Sequence, residues 1–168
     1  MKDADLYTIE QIGIPSLVLM ERAALQIVET MEQEHTDLRK SLIVCGSGNN
    51  GGDGFAVARL LMEKGHDVSV FFAGSENSLS DECRLQKQIV EKLGIRVFTE
   101  FPEEEYSVII DAVFGVGLSR EITGRYQDVI CWMNEQDCGK VAVDIPSGIS
   151  SETGEVLGTA FRAQLTVS

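Results

Sequence analysis

From residue 41 to the end of the chain, six short apolar runs alternate with three longer stretches of helical periodicity, joined by short connections. The runs cover residues 41–45, 68–72, 95–98, 107–111, 140–144 and 164–168, and the helical stretches cover 53–64, 80–93 and 125–136. Unbroken apolarity over a strand length suits a strand buried on both faces, which is what a parallel sheet provides. The alternation therefore predicts an α/β fold. Right-handed crossovers place helices on both faces, giving a three-layer, doubly wound, mostly parallel, Rossmann-like sheet. Ahead of it, Pro15 suits a first helical turn. Leu17, Met20, Ala24, Ile27, Val28 and Met31 then recur at three- and four-residue intervals, which predicts a packing helix to about residue 34. In the later helices, Leu85, Ile89 and Leu93 are expected on one inward face, and Tyr126, Val129, Ile130 and Met133 on another. No repeat, low-complexity tract or linker breaks the pattern, so residues 1–168 read as a single domain.

Charge narrows the partners. Lys plus Arg is 14 against 27 for Asp plus Glu, a formal net charge of −13 spread over both halves of the chain. Phosphate backbones and anionic lipids need clustered cations, so neither nucleic acid nor a membrane is the expected partner. No apolar run approaches a membrane span, and Met1-Lys2-Asp3-Ala4-Asp5 is not a signal peptide. Cys45, Cys83, Cys131 and Cys138 show neither paired spacing nor a pattern with His35 or His66. That argues for reduced thiols in a cytoplasmic protein rather than a zinc site, and for histidines that are solvated helix-end residues.

In doubly wound sheets, ligands bind beyond the carboxyl ends of the strands, where the strand order reverses. Three unusual segments fall there: residues 46–54, 111–121 and 144–150. The first, GSGNNGGDGF, satisfies GxGxxG with Gly46, Gly48 and Gly51 after a strand and before a helix. Such glycines let backbone amides approach a pyrophosphate. An ordinary NAD dehydrogenase is disfavoured, because the second strand ends Phe72-Ala73-Gly74 without the acidic residue that holds a ribose. Asn49, Asn50 and Asp53 also put polar side chains where that fingerprint has small ones. No Lys-Ser/Thr pair follows, so a Walker loop is excluded.

The second segment, DAVFGVGLSRE, leaves its strand with Asp111 at the tip, suited either to capping the loop or to binding a cation. Gly115 and Gly117 let amides face an anion, with Arg120 and Arg125 nearby in sequence. The third, VAVDIPSGIS, places Asp144 at the end of a buried strand, where apolar surroundings suit acid–base chemistry. Ser147 can offer its hydroxyl or carbonyl to the crevice. It is not read as a nucleophile, because no GxSxG elbow is present.

Taken together, IPSLVLMERAA, GSGNNGGDGFAVARLL, DAVFGVGLSREITGRY and VAVDIPSGISSETGEV resemble the YjeF N-terminal family, the NAD(P)HX epimerases, from about Asp5 to the end of the chain. The resemblance implies an isomerase that interconverts the R and S forms of NADH and NADPH hydrated at C6 of the nicotinamide ring. An S-specific, ADP- or ATP-dependent dehydratase, often fused C-terminally, then regenerates the coenzyme. It implies substrate binding by Asn49, Asn50, Gly51, Gly52 and Asp53, by Gly115, Val116, Gly117, Leu118, Ser119, Arg120 and Glu121, and by Asp144, the expected catalytic carboxylate. It also implies one potassium ion (K+) per subunit on Asn50, Asp111 and Ser147, all oxygen donors as a hard cation prefers. NAD(P)HX is then substrate, with no redox cofactor, and a homodimer is left open.

Two departures stand out. Val116 replaces a common Thr, which matters little if the backbone does the binding. The family's domain also continues some tens of residues past the sixth strand, through a Pro-Lys-Gly-type segment absent from these 168 residues, so the expectation is a domain truncated at its C-terminal end. The rival reading is a non-catalytic scaffold on the same fold. A scaffold has no need of Asn49, Asn50, Asp53, Asp111 and Asp144 together.

Overall fold

The computed structural model describes residues 7–168; the segment Met1–Asp5 discussed above lies outside them. A π-helical turn, Thr8–Ile12, ends at Gly13 in the left-handed conformation and leads into α1, Ser16–Gln33. The apolar spacing read from sequence is the buried face of α1: Met20, Ala24, Ile27, Val28 and Met31.

Six strands follow: β1 (Lys40–Cys45), β2 (Asp67–Phe72), β3 (Arg96–Phe98), β4 (Val108–Ala112), β5 (Gly139–Val143) and β6 (Leu165–Val167). They form one sheet in the order β3-β2-β1-β4-β5-β6, parallel throughout. The chain first winds outward from β1 to β3, then returns to the other side of β1 to start β4. The reversal therefore falls between β1 and β4, whose paired ends are Val44 with Asp111 and Cys45 with Ala112.

Three further helices cover the sheet: α2 (Asn49–Glu63), α3 (Asp81–Lys92) and α4 (Arg125–Glu135). On one face, Ile43, Cys45, Val70, Ile110 and Val143 pack with α1, α2 and α3. On the other, Leu42, Val44, Ile109 and Ala142 pack with Val129, Ile130 and Met133 of α4 and with Phe161. The alternation of successive strand residues between two cores is the period of a pleated strand buried on both sides. No helix among the described residues is long and apolar enough to cross a membrane.

Two expectations need correction. The central helix begins at Asn49, not near Asp53, so NNGGDG forms its first turns instead of a loop ahead of it. Glycines are poor helix formers and show no apolar period, so the sequence hides these turns; packing forms them. In α3 the buried residues are Cys83, Gln86 and Val90, while Leu85 and Leu93 are 40% and 47% exposed. The cause lies at Gly52, where a Cβ would come within 3.3 Å of the Cys83 Cα. That close approach seats α3 on its small residue and turns the leucine ridge outward.

Candidate active site

Asp111 is the most confined polar group at the strand ends, with 0% exposure. Its position in β4 puts it on the α4 side of the sheet, one residue before the strand stops. Oδ1 accepts the Ser147 hydroxyl at 2.7 Å and the Val113 amide at 3.1 Å, and Oδ2 accepts the Ser147 amide at 2.8 Å. The Ser147 hydroxyl in turn accepts the Phe114 amide at 2.9 Å. All of these partners are neutral. Burial pushes the Asp111 carboxyl up to about 6, and the hydrogen bonds from Ser147 and Val113 oppose that rise.

Asp144 follows β5 directly, with φ 68, one of two non-glycine residues among those described in the left-handed region. Asp and Asn tolerate that conformation better than other side chains. Its amide donates to the Val167 carbonyl at 2.7 Å, and its Oδ2 accepts the Val116 amide at 3.0 Å. The turn after β5 is thus held by β6, and the loop after β4 is held by Asp144.

Gly115 joins these groups. A Cβ there would lie 2.6 Å from Asp144 Oδ2 and 3.3 Å from Asn50 Cγ, so both side chains close on its α-carbon. The Asn50 Oδ1 and Nδ2 are buried and have no hydrogen-bond partner among the described residues. An amide buried in this way loses its solvation without return unless a ligand supplies it.

Around this point a cleft of about 920 Å³ crosses the β1/β4 reversal. Asn49, Asn50, Asp53, Asp144 and every residue from Gly115 to Arg120 line it. Gly51, Gly52 and Glu121 do not. A Cβ on Gly51 would collide with the Gly46 carbonyl oxygen, and one on Gly52 would lie 2.7 Å from the Met20 methyl. These two glycines set how closely α2 lies on β1 and α1; they do not face the cleft. Arg125 turns away as well and donates to the Thr99 carbonyl.

Sequence reasoning missed a wall of the cleft. Ser16, at the start of α1, donates to Glu82 of α3 at 2.6 Å, and both line the cleft with Ser47, Ser78 and apolar residues of α1. The Ser47 hydroxyl accepts the Ser75 amide at 2.8 Å, tying the exit of β2 to that of β1. Ser16 and Glu82 are far apart in sequence, and each reads alone as an ordinary helix-end residue.

Known proteins are similar to this chain in sequence and in fold. Residues 16–168 match the model of the family described as YjeF-related protein N-terminus. A Weissella koreensis protein named NAD(P)H-hydrate epimerase is 43% identical over 169 residues, covering 100% of this chain and 76% of that protein. An Oenococcus oeni protein of the same name is 42% identical, covering 98% of this chain and 79% of that one. In fold, the crystal structure of the yeast protein ynu0 superposes with a TM-score of 0.83 at 21% identity, covering 98% of this chain and 75% of that chain. A family match over nearly all the described residues, relatives at this identity and the shared fold lead to one conclusion: the chain belongs to the family of YjeF-related protein N-termini.

Proposed function

We propose that the chain is an NAD(P)H-hydrate epimerase, with Asp144 as its acid–base group. The observation that carries the site assignment is the meeting of Asp144, Gly115 and the unpartnered Asn50 amide at the sheet's reversal point. The relatives' name supplies the reaction.

C6 of the hydrated ring carries a hydroxyl beside the ring nitrogen. Its configuration is lost either when hydroxide leaves to give an iminium or when the C6–N bond opens to an aldehyde. The first route delivers a proton to the C6 oxygen, and the second removes one. Asp144 Oδ2 is engaged by the Val116 amide, which steadies the carboxylate, so Oδ1 is the oxygen that exchanges the proton. The amides at the start of α2 and in the loop after β4 hold the pyrophosphate, since helix-terminal amides bear partial positive charge. Asn49, Asp53 and Arg120 complete the substrate contacts from the cleft wall.

Potassium fits the remaining groups. The donors are Asn50, Asp111 and Ser147, and the Asn50 amide oxygen and the Asp111 carboxylate are both buried with no hydrogen bond or ion pair to a cation among the described residues. When bound, the ion supplies positive charge that balances Asp111 and draws the loops after β1, β4 and β5 together. The S epimer feeds a dehydratase that consumes it, in the cytoplasm where reduced coenzymes turn over.

The direct test is to give the purified chain one enriched epimer of NADHX and follow R–S exchange by chromatography. Exchange well above the uncatalysed background is expected. Exchange equal to that background contradicts the reading.

A further inference from the structure

The cleft has two ends. By the strand order, Asp144 and the loop after β4 lie on the β4–β5 side, and Ser47, Ser78 and Glu82, which follow β1 and β2 in the chain, lie on the other. With the reacting ring at Asp144 and the pyrophosphate over the start of α2, as in the epimerase reading on which this inference rests, an extended dinucleotide lays its adenosine half at the second end. Doubly wound nucleotide-binding sheets seat the adenosine ribose on the same side.

The chemistry of that end is one-sided. Ser16 donates to Glu82 Oε1 at 2.6 Å, which fixes the carboxylate in the wall. The nearby cations are committed elsewhere. Lys87 pairs with Glu76 at 2.8 Å and Glu91 at 2.6 Å and lies over the Phe72 ring, and Arg84 donates to the Glu76 carbonyl. Among the described residues that line the cleft, the one cation is Arg120, from the loop that follows β4. A 2′-phosphate carries between one and two negative charges near neutral pH. At this end it meets a fixed carboxylate, and no cation among the described residues lines the wall there.

We infer that the chain selects NADHX over NADPHX, and that Glu82 is the residue that sets this preference. Selectivity here arises from a repulsive element in the wall, not from an added contact to the favoured substrate.

The test compares exchange of NADHX and NADPHX by the purified chain over a range of concentrations, with affinity for each measured separately by titration calorimetry. The wild type is expected to favour NADHX at least about tenfold in kcat/KM, the difference residing in KM and narrowing as salt is raised. Glu82→Gln is expected to reduce the ratio at least threefold, and Glu82→Asp to retain most of it. Equal kcat/KM for the two substrates overturns the inference while leaving the epimerase reading intact. So does a folded Glu82→Gln variant with an unchanged ratio. Should that variant not fold, a wild-type preference indifferent to salt overturns the inference on its own. If neither substrate is bound or exchanged, the epimerase reading falls and this inference falls with it.

Discussion

Asp111 and Asp144 both stand at the exits of buried strands, yet their surroundings assign them different work. Asp111 is sealed against water, and burial raises its carboxyl from 3.8 to about 6. Because the folded value exceeds the unfolded one, the stability tied to protonating Asp111 is fully present below about pH 4 and lost as pH rises through about 6. That loss is worth at most about 3 kcal/mol. Urea unfolding of the wild type and Asp111→Asn over this range, in a large organic cation, should show the wild-type stability falling relative to the variant, then running level above pH 6. A level difference throughout contradicts the buried-carboxylate account. Asp144 instead holds a left-handed turn and accepts the Val116 amide. Asn tolerates the same conformation, so Asp144→Asn should fold with a melting temperature within about 2 °C of wild type. Both carboxylates were readable in the sequence, because an Asp that ends an apolar run has no packing reason to be there. Glu82 was not, because its meaning depends on Ser16, brought to it only because α1 and α3 both pack on α2.

At the scale of elements, the strands were legible and the seating of the helices was not. Strand residues report burial on both faces directly. How closely two helices approach depends on glycines that carry no periodic signal. Gly51 shows this most clearly: read from sequence as part of the substrate-binding segment, it is also the point where α2 rests on the Gly46 carbonyl. Gly51→Ala should therefore lower stability by about 1–3 kcal/mol or more, as overpacking does, with a fall of several degrees in melting temperature. Gly48 is the control. It caps α2, and a Cβ there meets nothing within 4 Å. Gly48→Ser should leave the melting temperature unchanged or raise it slightly, since serine is favoured at an N-cap. Equal losses from the two substitutions would show that the close contact is not what holds α2. The outward rotation of the leucines in α3 has the same origin, since Gly52 admits Cys83 where a larger pair would have kept the helices apart.

Across the whole molecule, the parallel sheet brings three separate segments to one crevice, and the ion proposed for Asn50, Asp111 and Ser147 would join all three. Thermal melting in potassium should therefore exceed that in tetramethylammonium at equal ionic strength, with the difference lost in Asp111→Ala. Equal melting in the two cations counts against the ion site. In the proposed reading, the reaction rests on Asp144, the residue that follows β5. The measurement that bears on it most directly is the rate of NADHX epimer exchange by Asp144→Asn beside wild type, with the uncatalysed rate subtracted and affinity measured on the same samples. A folded variant that still binds the hydrated coenzyme but exchanges its epimers about 10²-fold or more slowly is the result expected of an acid–base carboxylate. A folded variant with wild-type exchange would contradict it.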